Sequence, residues 1–100
     1  MPDFCYKIYD QGSDRILAIS DTSIIGKTFN QDGIQITVSE EFYCGDRCNA
    51  KKAIEMIKKS TIVNAVGKDI IGIMIKENIV NKDSVLLINN IPHAQIVAVA

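Results

Sequence analysis

Strand patterns crowd the two ends of this 100-residue chain and helix patterns fill its middle. Such segregation predicts an α+β domain rather than an alternating α/β one. Three features carry the expectation. The N-terminal part alternates apolar and polar residues between turn clusters. The middle places apolar residues at helical spacing. The end returns to extended patterning around Asn89-Asn90. The expected arrangement is an N-terminal β-hairpin plus a third strand, central helices, and a C-terminal β-hairpin. The last hairpin completes a mostly antiparallel sheet covered by helices on one face. The length suits one domain over residues 1–100, large enough for a real core. Eighteen isoleucines supply the β-branched side chains that strands favour.

Phe4, Tyr6 and Ile8 alternate with Cys5, Lys7 and Tyr9, which reads as a strand with one strongly apolar face. Asp10 to Asp14 is a turn cluster around Gly12, and Arg15 to Ser20 is the returning strand. Asp21 is placed to cap a short helical turn, Thr22 to Ile25, stopped by Gly26. Lys27 to Phe29 is extended. Asn30-Gln31-Asp32-Gly33 ends in the Asp-Gly pair that favours tight hairpins. Ile34, Ile36 and Val38 then form the third strand. Ser39 to Tyr43 follows, and Cys44 to Cys48 reads as a loop.

Asn49 is a natural cap for a helix in which Ala50, Ala53, Ile54 and Ile57 share a face as far as Lys59. Thr61 to Val66 reads as continuing helix, ended by Gly67. Lys68 to Glu77 is a further, nearly all-apolar helix closed by Asn78. Asn81 to Ser84 is a polar turn, and Val85 to Ile88 is a strand. Asn89-Asn90 is a two-residue link whose side chains tolerate left-handed dihedrals. Ile91 to Val99 is the last strand, expected to lie inside the sheet beside the N-terminal strands.

Composition limits the function classes. Hydrophobic residues make up 47% and charged residues 23%, a globular balance. A net charge of −1 lacks the basic footprint of a sequence-specific DNA-binding protein. Apolar runs fall far short of the ~20 residues that span a membrane. Three cysteines and no leader pattern read as free thiols in a reducing cytoplasm.

Each candidate site has a plain structural alternative. Gly26-Lys27-Thr28 ends like a phosphate-binding loop, but Asp21 stands where that loop needs glycine, and its carboxylate would repel a phosphate. A helix stop before a strand explains it better. Cys44 and Cys48 lack two further close ligands for zinc, so no metal and no cofactor are expected. His93 has a pKa suited to proton transfer, and alternation puts it on the same strand face as Gln95. Glu40, Glu41 and Tyr43 join them if the third strand runs toward this end. That set would serve a small polar ligand or acid–base chemistry; its plain alternative is a structural histidine. Lys51, Lys52, Lys58 and Lys59 share a helix face within about 120° at 100° per residue. They suit an RNA backbone, or they form a solvated face.

Four short segments together resemble the small archaeal family called domain of unknown function 424. They are Gly26-Lys27-Thr28-Phe29, Val38-Ser39-Glu40-Glu41-Phe42-Tyr43, Ala65-Val66-Gly67 and Ile91-Pro92-His93-Ala94-Gln95. The chain departs from the pattern at Cys44 and at Asn89-Asn90, where glycines are usual. The resemblance implies an α+β stand-alone protein of the archaeal cytosol with no established activity. The residues favour a non-catalytic binding or accessory module, with RNA or a ribonucleoprotein of the translation machinery as its partner. The alternative is a small-molecule-binding protein or enzyme built on His93 and Gln95. A homodimer through an exposed sheet edge is compatible with either.

Overall fold

Alternation in the opening segment folds into β1 (Phe4–Gln11) and β2 (Asp14–Asp21), paired antiparallel from Phe4↔Asp21 to Gln11↔Asp14. The computed structural model describes residues 3–97. A 3-10 turn, Thr22–Ile24, leads to β3 (Thr28–Gln31) and β4 (Ile34–Thr37). Between them Asp32 and Gly33 both take positive φ, 50° and 82°, as a tight hairpin turn of that sequence demands. One helical turn, α1 (Glu40–Tyr43), starts where the Ser39 hydroxyl accepts from Phe42 N at 3.1 Å.

The segment expected to be a loop contains β5 (Asp46–Cys48), which pairs with β1. Helix α2 (Ala50–Lys59) begins at Asn49, whose Oδ1 accepts from Lys52 N at 3.0 Å. Strand β6 (Ile62–Val66), helix α3 (Lys68–Lys76), a 3-10 turn at Lys82–Ser84, β7 (Leu86–Ile88) and β8 (Ile91–Val97) complete the fold. Asn89 and Asn90 make the expected left-handed link, with φ of 50° and 65°. Asn78 closes α3 at φ 58°. The expected continuation of the last strand over Ala98 and Val99 lies outside the described residues.

The main sheet has the order β5-β1-β2-β6-β8-β7, and β2–β6 is its parallel pair. The α+β, mostly antiparallel architecture is the expected one. Three expectations about it are corrected. Thr61 to Val66 is not helix: α2 ends at Ser60, whose backbone is already extended at φ −100°, ψ 147°. Ile62-Val63-Asn64-Ala65-Val66 then alternates between the two sheet faces as β6. The final hairpin does not meet the N-terminal strands directly, because β6 lies between β2 and β8. The third strand, β4, pairs with β3 in a separate two-stranded sheet.

A further correction concerns Asp21 and Gly67. Asp21 makes no side-chain bond to the turn that follows it. Its carboxylate instead accepts from Asp69 N and Ile70 N, both at 2.9 Å, and so caps α3 from 48 residues away. Gly67 starts α3 instead of ending a helix. It sits at φ 126°, and a Cβ there would come within 2.6 and 2.7 Å of the Asp21 carboxylate oxygens. Burial raises the Asp21 pKa, and the two amide donors oppose that rise.

The sheet carries a core on each face. On the first, Phe4, Leu17, Ile19, Val63, Ala65 and Ala94 pack against Ala53 and Ile57 of α2 and Ile70, Ile71 and Met74 of α3. On the second, Ala18 and Val66 pack under Ile24, Val38 and Tyr43, with Phe29 and Ile36 of the small hairpin alongside. This second cover is short. It leaves the end of the sheet near the β1–β2 turn open. No helix among the described residues is long and apolar enough to cross a membrane.

Candidate functional site

Register places the open end of the second face residue by residue. Tyr9 stands opposite Ile16, and Ile16 opposite Ile62; Ala18 stands opposite Asn64, and Asn64 opposite Gln95. Residues directly opposite in a ladder share a face. A groove of about 590 Å³ lies over this corner. Ile16 and Ile62 give it an apolar floor, Asn64 and Gln95 an amide side, and Tyr9 and Phe42 an aromatic wall.

That wall exists because α1 docks on β1. Tyr9 donates its hydroxyl to the Phe42 carbonyl at 2.8 Å, and the two rings stack at 5.4 Å with planes 20° apart. Lys7 Nζ donates to the Glu41 carbonyl at 3.1 Å from the same strand. Phe42 remains 39% exposed, so an aromatic surface faces solvent at the rim.

Behind the amide side lies a part-buried polar chain. Asn64 Oδ1 accepts from the Tyr43 hydroxyl at 2.9 Å and lies 2.9 Å from His93 Nε2. A carbonyl oxygen only accepts, so Nε2 carries the proton and Nδ1 of the neutral ring is bare. Burial lowers the His93 pKa and pushes the Tyr43 hydroxyl up to about 12. The Tyr43 hydroxyl therefore keeps its proton near neutral pH, and the His93 ring stays neutral, its tautomer set by the Asn64 oxygen. With that oxygen doubly engaged, Asn64 has its Nδ2 hydrogens left to offer a ligand.

The sequence-derived candidates separate into groups. Gln95 is exposed and lines the groove. His93 does not line it; its ring bonds Asn64, which does. Glu40 and Glu41 are exposed on α1, and their carboxylates make no hydrogen bond among the described residues. The residue of this segment that reaches the His93 chain is Tyr43. Sequence reading missed Asn64, because its segment looked helical, and missed the Tyr9–Phe42 wall. The signal for Asn64 was present: a lone amide at an alternate position of a β-branched run.

Lys51, Lys52, Lys58 and Lys59 are all exposed on α2, as expected. Lys52 Nζ sits 5.6 Å from the Tyr6 ring centroid, a cation–π distance. The chain leaving α2 is tied to the start of β2: Thr61 N donates to the Arg15 carbonyl at 2.9 Å, and Arg15 N donates to Thr61 Oγ1 at 2.8 Å. The last turn of α2, with Lys58 and Lys59, is thus held at the same end of the sheet as the groove, over the opposite face.

The cysteines are free thiols. Burial, then the neighbouring Cys44 thiol, pushes Cys5 up to about 12, and burial pushes Cys48 up to about 11. Neither is an activated nucleophile. No group of three or more metal-binding side chains occurs among the described residues.

The fold is similar to that in a crystal structure of an uncharacterized conserved protein from Methanopyrus kandleri, with a TM-score of 0.77 at 22% identity. The match covers 98% of this chain and 95% of that one, and at this identity it speaks for the fold alone. No curated protein matches. A family model described as "Protein of unknown function (DUF424)" matches residues 9–99, through the hairpin, α1, Gly67 and the His93-bearing strand. The chain therefore belongs to the DUF424 family of proteins of unknown function.

Proposed function

We propose that this protein is a non-catalytic RNA-binding module of the archaeal cytoplasm, taking one unpaired base in the groove and phosphates further along the strand on the lysines of α2. The observation that carries this reading is the pairing of an exposed aromatic wall, Tyr9 and Phe42, with the amides of Asn64 and Gln95 in one groove. A base offers a flat face to an aromatic ring and a hydrogen-bonding edge to amides. Lys58 and Lys59 stand at the same end of the sheet but over its opposite face, so a strand leaving the groove reaches them by passing around that end. Lys51 and Lys52 extend the ridge. The partner is a single-stranded segment of RNA, free or within a ribonucleoprotein.

A catalytic reading has less support. His93 has its N–H committed to Asn64, and Glu40 and Glu41 do not join it. The groove alone also suits a free small molecule of the same chemistry, such as a nucleoside, and the experiment separates the two. Labelled single-stranded RNA oligomers are titrated at about 50 and about 300 mM salt, where phosphate contacts weaken steeply. The expected result is binding that falls with salt. Lys58→Glu/Lys59→Glu should lower the log–log salt slope by roughly 1.4, two single-strand contacts. Gln95→Ala should weaken binding without changing the slope. Equal affinity for a nucleoside and for the oligomer would favour the small-ligand reading. No binding of either would end both.

A further inference from the structure

The two edges of the six-stranded sheet are unlike. The edge strand β5 carries exposed Asp46 and Arg47, the charged protection that discourages edge pairing. The opposite edge, β7, reads Leu86-Leu87-Ile88 and carries no charge. Leu86 is 48% exposed and Leu87 54% exposed. Ile34, on the strand β4 that contacts β7, is 48% exposed.

The backbone of this edge is also open. Leu87 stands opposite Pro92 in the β7–β8 ladder. Pro92 has no N–H, and its carbonyl is turned to β6, where it accepts from Gly67 N at 3.0 Å. Pro92 therefore gives Leu87 no ladder bond. Alternation turns the Leu87 N–H and C=O outward, away from β8. Neither has a partner among the described residues.

We propose that β7 is the interface of a two-fold homodimer, with Leu87 on the axis. Antiparallel pairing about that axis lets each Leu87 N–H donate to the Leu87 carbonyl of the other copy, and joins two sheets into one. The same register sets Leu86 against Ile88, and the pairing ends there, because Asn89 and Asn90 turn the chain back at φ 50° and 65°. Leu86–Ile88 carries no charge, so no like charges meet across the axis. Leu87 borders an apolar groove of about 340 Å³ between β7 and α3, floored by Ile71, Gly72 and Ile75. A Cβ at Gly72 would meet nothing within 4 Å, so the groove is open there. Directly opposed residues share a face, which brings the partner copy's Leu87 to the mouth of this groove. The charged β5 edge prevents growth at the far side, so the assembly closes as a dimer.

The test uses the full chain. Sedimentation of the wild-type protein should show dimer mass at about 100 µM, a concentration that populates even modest affinities. Leu87→Lys should be monomeric, with its far-UV circular dichroism unchanged. In a Cys44→Ser background, Leu87→Cys should cross-link to a covalent dimer with glutathione disulfide as oxidant, since opposed Cα atoms about 5.5 Å apart permit a disulfide. Ser13→Cys, in the exposed β1–β2 turn, should not. A wild-type monomer at every concentration overturns the proposal. So does a wild-type dimer that Leu87→Cys fails to cross-link, which would place the contact elsewhere. If Leu87→Lys does not fold, the cross-link decides alone.

Discussion

At Asn64 one carbonyl oxygen accepts from two side chains, and this sets the role of His93. A half-buried histidine whose N–H is held by an amide oxygen resists protonation, because the charge would have to be desolvated. Its pKa is lowered below the ordinary 6.5. The sign of the consequence follows from linkage. Above pH 6.5 the ring is neutral in both folded and unfolded chains, and the stabilisation is fully present. As pH falls, the unfolded chain takes up the proton first, and the stabilisation is lost through the lower folded pKa. His93 is the only histidine, so its ring gives a single NMR titration with a midpoint expected below 6.5. The stability advantage of wild type over His93→Gln should shrink as pH drops through that window. A midpoint above 6.5 would contradict the buried, neutral assignment. His93 and Gln95 were legible as neighbours from strand alternation alone. Tyr43 was legible only as a conditional neighbour, and Asn64, which joins it to His93, was not legible at all, because that contact depends on where β6 is placed.

At the scale of the element, α3 depends on a residue far outside it. Its first turn has no capping side chain of its own, since Gly67 occupies the cap. Asp21 supplies the missing acceptors, and Gly67 leaves room for them. Asp21→Ala should cost about 1–2 kcal/mol, as for loss of a helix cap. Gly67→Ala adds a side chain at positive φ against the carboxylate and should cost on the order of 2–4 kcal/mol. The double variant should cost less than the sum, because removing the carboxylate removes half of the Gly67→Ala problem. Urea unfolding of the four proteins checks this, and strict additivity would show that the two residues act independently. Most turns and local caps were readable: Asp32-Gly33, Asn89-Asn90, Asn49 and Asn78 do what their chemistry dictates. Asp21 was misread because local capping competes with a distant helix for the same carboxylate, and only packing chooses between them.

For the whole molecule, one sheet serves two cores, and adjacent residues of β2 point into different ones: Ala18 into the second, Ile19 into the first. The two cores cannot melt apart without tearing the strand they share. Ile19→Ala should cost about 2–5 kcal/mol, as for other large-to-small core changes. Unfolding should remain one transition, with tyrosine fluorescence and circular dichroism coincident. Separate midpoints would mean that the cover of the second face unfolds on its own. Because that cover is short, the groove lies at an edge of the second core, where Tyr9 and Phe42 are packed on one side and exposed on the other.

Sequence alone determined the class of fold, the end hairpins, the residues in their turns, the two main helices, and the shared face of His93 and Gln95. These depend on local periodicity and on dihedral preferences, which act over a few residues. Tertiary structure decided that Ile62 to Val66 is a strand. A five-residue segment of four apolar residues around Asn64 fits a helix or a sheet equally well until a partner strand supplies its hydrogen bonds. Once β6 entered between β2 and β8, Asn64 came beside His93 and Gln95, Gly67 came against Asp21, and β7 was left at the edge. The groove, the distant cap and the open strand are all consequences of where that one segment found its hydrogen bonds.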